Sequence, residues 1–184
     1  RLIAVEVSDI PAMGYKTLKM RPTYNVRATT PQPIIELDNI NNLDIIEINC
    51  HCRQNEIMDI GCGQEMLKRA DLGNFISQVV DNVDCEVSVK IRANVEGVNT
   101  LDVACIIADA GADYLHVDAM KKGVFDADYN LLREICNNVQ IQVIGNNSVN
   151  SLLNVEKMIE TGVNGFSIAR GVISGNLDFD ISNF

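Results

Sequence analysis

Four strand-like runs begin near Glu86, Asp113, Gln140 and Gly165, at intervals of 25 to 27 residues. Each leads into a stretch with apolar residues at helical spacing. That interval holds one strand, one helix and two short connections, so the repeat predicts parallel βα units. Three earlier runs, 2–7, 24–28 and 45–48, also read as strands. Because the chain opens on Arg1 and not on Met, a further strand is expected ahead of it. The economical reading is a closed (β/α)8 TIM barrel with parallel strands, incomplete at its amino-terminal end. An open doubly wound sheet is the alternative. In both folds the loops after the strands carry the site.

Punctuation between the strands agrees. Thr30 and Pro31 open a helix as cap and first residue. A helix is expected to start near Gln64. Residues 71–82 carry Leu72, Phe75, Ile76, Val79 and Val80 on one helical face. Asn99 and Thr100 cap a helix that runs to Ala110 and stops at Gly111. Another helix covers 128–138. A third is capped by Ser148 or Asn150 and closed by Gly162. A short one follows Arg170 and Gly171.

A chain of 184 residues, 47% hydrophobic, can bury one core and is read as a single barrel domain over 1–184. No apolar run reaches the roughly 20 residues of a membrane helix, and no signal peptide is visible. Six cysteines without a secretory signal point to a reducing, cytoplasmic setting. Cys85, Cys105 and Cys136 read as plain buried thiols. A formal charge of -10 opposes a whole-surface nucleic-acid binder but leaves room for a local basic mouth.

The expected loops converge at one end of the sheet. Gly145-Asn146-Asn147 and Ala169-Arg170-Gly171 follow the last two strands, where a βα barrel makes a phosphate site, with Arg170 able to grip the anion. Turn chemistry alone also accounts for Gly and Asn there. Lys90 and Arg92 share one strand face. A charge inside a barrel requires a partner, such as an anionic ligand, Glu47 or Asp118. His116 is as readily a satisfied barrel histidine as a ligand contact. Cys50, His51, Cys52 and Cys62 cluster, but their spacing is not that of a zinc site, so no metal is assigned. Cys52 or Cys50 is the candidate acid or nucleophile.

Taken together, the order INxxC, a glycine loop with its helix, VKIR, a GAD strand, IGN and an I-x-R-G turn resembles the tRNA-dihydrouridine synthases. These are FMN-dependent (β/α)8-barrel oxidoreductases related in fold to dihydroorotate dehydrogenases. The resemblance covers about 24–176. It implies Asn49 on the substrate side and Cys52 as proton donor, with Cys50 the other candidate. It also implies Lys90 against the flavin ring, and Gly145, Asn146, Ala169, Arg170 and Gly171 at the FMN phosphate. Arg27 stands where a flavin-contacting Gln is usual. Arg92, His116 and Asp118 are read as substrate contacts.

The implied reaction passes a hydride from reduced flavin to C6 of a uracil ring while a thiol protonates C5. NAD(P)H is the implied electron donor, and the implied substrate is a pyrimidine, with tRNA the family's own. A small-pyrimidine enzyme of the dihydroorotate type, or a barrel that only binds, are the alternatives. Arg53 replaces the family's Pro after the Cys, and Asp118-Ala119-Met120 replaces a His-Gly-Arg. No helical domain is expected after the barrel.

Overall fold

A computed structural model describes residues 43–180. The expected strands at 2–7 and 24–28, the helix opened at Thr30, and Arg27 lie outside the described residues. Within them, β1 (Ile45–Cys50), β2 (Glu86–Arg92), β3 (Tyr114–Asp118), β4 (Gln142–Asn146) and β5 (Gly165–Ser167) form one parallel sheet. The helices are α1 (Asn55–Met58), α2 (Leu72–Asp81), α3 (Thr100–Asp109), α4 (Tyr129–Asn138), α5 (Leu152–Ile159) and α6 (Arg170–Ser174), with a 3-10 helix at Gly63–Lys68.

Strand order follows chain order, β1-β2-β3-β4-β5. A doubly wound sheet reverses direction at a switch point. Here every crossover steps the same way, and right-handed crossovers then put every helix on one face. The sheet is a sector of a (β/α) barrel.

Side chains alternate accordingly. Val87, Val89 and Ile91 of β2, Leu115 and Val117 of β3 and Val143 of β4 are buried with Ile76, Ile107, Leu132, Ile135 and Met158 from the helices. The opposite face carries Glu47, Ser88, Lys90, Arg92, His116, Asp118, Asn146 and Ser167. That face is concave. Strands two apart in a flat sheet are separated by roughly 10 Å. Yet Glu47 of β1 reaches His116 of β3 at 2.8 Å, and His116 reaches Ser167 of β5 at 2.7 Å.

Helix ends follow local chemistry. Asn99 caps α3 by accepting from the Leu101 and Asp102 amides. The cap of α5 is Ser151, not Ser148 or Asn150. Asn147 and Ser148 take positive φ (109° and 55°), which prolongs the turn and delays the helix. The helix expected near Gln64 is the tighter 3-10 form, and β4 continues through Gly145 and Asn146. Cys85, Cys105 and Cys136 are half-buried, not buried as expected from their apolar contexts.

A Cβ on Gly145 would run into the Met158 thioether of α5. Gly145→Ala is therefore expected to lower stability by about 1–3 kcal/mol through overpacking. Urea unfolding checks this; an unchanged midpoint would show that Met158 swings aside freely.

Candidate active site at the carboxyl ends of the strands

The chain leaves β1 through a tight polar turn. Asn49 Oδ1 accepts from the amides of His51 and Cys52, both at 3.1 Å, and its Nδ2 donates to Cys52 Sγ at 2.9 Å. Asn49 thus fixes the backbone that presents Cys52 and touches the thiol itself. The Gly61-Cys62-Gly63 loop backs this turn: Gln64 N donates to Cys52 O at 2.8 Å, and Gly63 has φ 60°. A Cβ on Gly63 would overlap the Cys52 carbonyl, so glycine is required there.

The two cysteines flanking His51 face opposite ways. Cys50 lies on the helix side, fully buried, its Sγ 3.9 Å from Met66 Sδ. Burial pushes its thiol up to about 12. Cys52 is partly exposed. Of the two candidates, only Cys52 stands where a substrate can reach it. Among the described residues, no group of three or more His, Cys, Asp or Glu is arranged to hold a metal.

Asp118, at the end of β3, is 5% exposed and binds with both oxygens. Oδ2 meets His51 Nε2 at 2.7 Å and Arg92 Nη1 at 3.2 Å; Oδ1 accepts from Asn147 Nδ2 at 2.6 Å. Arg92 Nε also donates to His51 O at 3.2 Å. Burial raises the Asp118 carboxyl. The bonds from His51 and Asn147 and the charge of Arg92 outweigh that, and the group titrates below its ordinary value. Arg92 thereby finds the carboxylate partner expected for a charge inside the barrel.

Deeper in the concave face, His116 has both ring nitrogens engaged: Nδ1 with Glu47 Oε2 at 2.8 Å and Nε2 with Ser167 Oγ at 2.7 Å. Ser88 adds a bond to Glu47 at 3.1 Å, and Asn146 Nδ2 donates to Ser167 Oγ at 2.7 Å and to Ser167 O at 2.8 Å. Burial raises the Glu47 carboxyl too, and the bond and charge of His116, with the charge of Lys90, pull it below its ordinary value. His116 therefore has the surroundings of a satisfied barrel histidine. Lys90 is the direct register neighbour of Asn49 and, among the described residues, has no hydrogen bond or ion pair.

Next to these groups, the loops after β4 and β5 enclose a cleft of about 340 Å³. Asn146 to Asn150 form one wall, and Ser167 to Gly171 form the other, with Phe125 at the edge. Ala169, Arg170 and Gly171, expected at a phosphate, line it, as does Asn146. The first turn of α6 leaves its amides outside intrahelical bonding. Gly145 lies behind this wall, where its missing Cβ makes room for Met158. An anion fits this donor-rich cleft, which holds an exposed arginine and, among the described residues lining it, no carboxylate.

Cys52, Lys90 and Arg170 thus occupy one rim. The sequence reading missed the pairing of His51 with Asp118 and of Glu47 with His116, because partners 67 and 69 residues apart have no local signature. Alternation of polar residues along β2 and β3 was the available hint.

The fold is a sector of a parallel (β/α) barrel, and the ends of its strands carry a presented thiol, a lysine without a hydrogen bond or ion pair among the described residues, and a cleft with an exposed arginine. The chain belongs to the dihydrouridine synthase family, whose sequence profile matches residues 30–175. It is 33% identical over 138 residues to an uncharacterized protein of Methanocaldococcus jannaschii, covering 74% of this chain and 53% of that protein. It is 27% identical over 136 residues to a Mus musculus protein named tRNA-dihydrouridine(20a/20b) synthase, NAD(P)+-like, covering 70% and 42%. It is 25% identical over 158 residues to tRNA-dihydrouridine synthase B of Escherichia coli strain K12, covering 80% and 49%. The chain spans about half the length of the curated relatives it matches. Among the described residues no helix is long and apolar enough to cross a membrane.

Two outcomes are expected. In native protein at pH 8, Cys50 should react with iodoacetamide about a thousandfold more slowly than an ordinary thiol. Peptide mass spectrometry reads this, and early labelling of Cys50 would contradict its burial. The depressed carboxyls of Asp118 and Glu47 contribute stability that is present above their ordinary pKa near 4 and lost as pH falls through the lowered native value. Asp118→Asn should therefore lower stability at neutral pH and flatten its fall below about pH 4. Urea midpoints across pH 2.5 to about 7 decide this; an acid limb as steep as the parent's contradicts it.

Proposed function

We propose that this chain is the flavin-binding core of a dihydrouridine synthase that reduces a uracil ring in tRNA. The observation that carries the reading is the shared rim: the Asn49–Cys52 turn, Lys90 and the cleft stand toward the carboxyl ends of β1, β2 and the β4–β5 pair. The residues fit FMN. Arg170, Asn146, Ala169 and Gly171 would hold its phosphate in the cleft, with Gly145 shaping the wall behind, and Lys90 would meet the negative edge of its ring. Arg27 completes the proposed cofactor set. When bound, FMN supplies the hydride that C6 of the uracil accepts.

Cys52 supplies the proton to C5. A thiol suits this step because it is neutral near pH 7 and releases its proton readily. Asn49 aims Cys52 through the bonds described above, and its exposed amide also faces the substrate side. Arg92, His116 and Asp118, read from the sequence as substrate contacts, are instead engaged with one another's neighbours beneath the opening and shape it from below. The names of the mouse and Escherichia coli relatives support tRNA as the substrate class, and the mouse name supports a nicotinamide nucleotide as electron donor. The cytoplasm is the compartment consistent with this chemistry.

The formal charge of -10 favours a second reading, in which a free pyrimidine of the dihydroorotate type is the substrate. Single-turnover reoxidation of the reduced flavoprotein by uridine-containing RNA, against free uracil or orotate, separates the two. In that assay Cys52→Ala is expected to slow reoxidation by about 10²–10⁴-fold. Lys90→Ala and Arg170→Ala should each weaken FMN binding by about 1.5–3 kcal/mol. An undiminished rate in the first variant, or undiminished FMN affinity in the other two, contradicts the assignment.

A further inference from the structure

The turn that presents Cys52 is short, polar and at the edge of the described sheet. Asn49 accounts for its inner hydrogen bonds. It does not account for what holds the turn down against the barrel. His51 does that. Its backbone carbonyl accepts from Arg92 Nε at 3.2 Å, and its ring lies between Arg92 and Asp118.

The ring has a partner on each side. Nε2 stands 2.7 Å from a carboxylate oxygen and 2.9 Å from Arg92 Nη2. A single nitrogen cannot donate to the carboxylate and accept from the guanidinium at once. Asp118 Oδ2 is the closer of the two, and Arg92 also reaches that same oxygen through Nη1 at 3.2 Å. The three groups form one part-buried unit from three separate segments. Asn147 completes it from a fourth, holding the other carboxylate oxygen from a left-handed backbone position. A bare strand end needs none of this, and the Asn49–Cys52 turn is one of the segments the unit holds.

We propose that His51 is the positioning residue of Cys52, clamped by Asp118 and Arg92 so that the thiol stays at the rim. The proposal rests on the reading of Cys52 as the proton donor. It assigns His51 no contact with the reacting atoms and no proton transfer.

The test uses the full chain with His51→Ala, His51→Gln and Asp118→Asn. Gln can still donate to Asp118 from its side-chain amide, so it is the rescuing variant. Hydrogen exchange of peptides covering 49–53 is measured without flavin. The expected result is about tenfold faster exchange in His51→Ala and Asp118→Asn, with His51→Gln close to the parent. Peptides of β2 and β4 should keep their protection in His51→Ala. In flavin-loaded protein, His51→Ala should lower the maximal single-turnover rate about tenfold with unchanged half-saturating RNA and FMN, and His51→Gln should recover it.

Unchanged exchange over 49–53 in both disruptive variants overturns the proposal. So does faster exchange with an undiminished single-turnover rate. Should His51→Ala fail to fold, Asp118→Asn and His51→Gln carry the same comparison. Should the parent bind no FMN, the proposed function fails, while the exchange arm still decides whether His51 holds the turn.

Discussion

A single carboxylate organises the rim. Asp118 ends β3, is nearly buried, and binds partners from the turn after β1, the end of β2 and the loop after β4. Burying that charge would be costly alone. It is compensated by one guanidinium, one imidazole and one amide, so four segments are held in fixed relation. The turn bearing Cys52 and the wall of the anion cleft are two of them. Truncating either side of such a unit leaves the other charge unpaired, which costs more than the pair itself contributes.

Beneath Asp118, a second layer repeats the logic. His116 bridges Glu47 and Ser167 across strands that are not neighbours, and this bridging requires the sheet to curl. Below that, the helix-side face is wholly apolar. Among the described residues no buried side-chain nitrogen or oxygen lacks a hydrogen-bond partner. The described sector is therefore built in two chemistries: an apolar layer between strands and helices that supplies stability, and a polar, hydrogen-bonded concave face that supplies geometry. Lys90 is the exception on that face, a cation without a fixed partner among the described residues, next to the turn that carries the thiol.

Much of the fold was legible because strands buried on their outer face and polar within alternate visibly, as in Glu86–Arg92, and because Asn99 and Gly111 bracket α3 by known cap chemistry. The sequential strand order followed from the regular interval. The true cap of α5 was not legible: Ser148 and Asn150 are equally good cap residues, and only the left-handed backbone of Asn147 and Ser148 delays the helix to Leu152. The roles of Cys50 and Cys52 could not be separated by residue type. The strand ends at Cys50, whose thiol is in the core, and the Asn49-bonded turn then breaks the alternation that would have put Cys52 on the same face, leaving it at the rim. Gly145 matched a phosphate loop in sequence, yet its missing side chain answers to Met158. His51 lay in plain view inside a cysteine cluster and drew attention as a metal ligand, while its partner was 67 residues away.

The central claim is that loops from separate strands close around a flavin phosphate and ring on one rim. Titration of the purified full-length protein with FMN and with riboflavin, followed by flavin fluorescence, addresses it most directly, since the two ligands differ only in the phosphate. Binding of one FMN, with riboflavin weaker by about tenfold to a hundredfold, is the expected result for a charged grip at Arg170. Equal affinity for the two ligands, or no saturable binding of FMN, would contradict it.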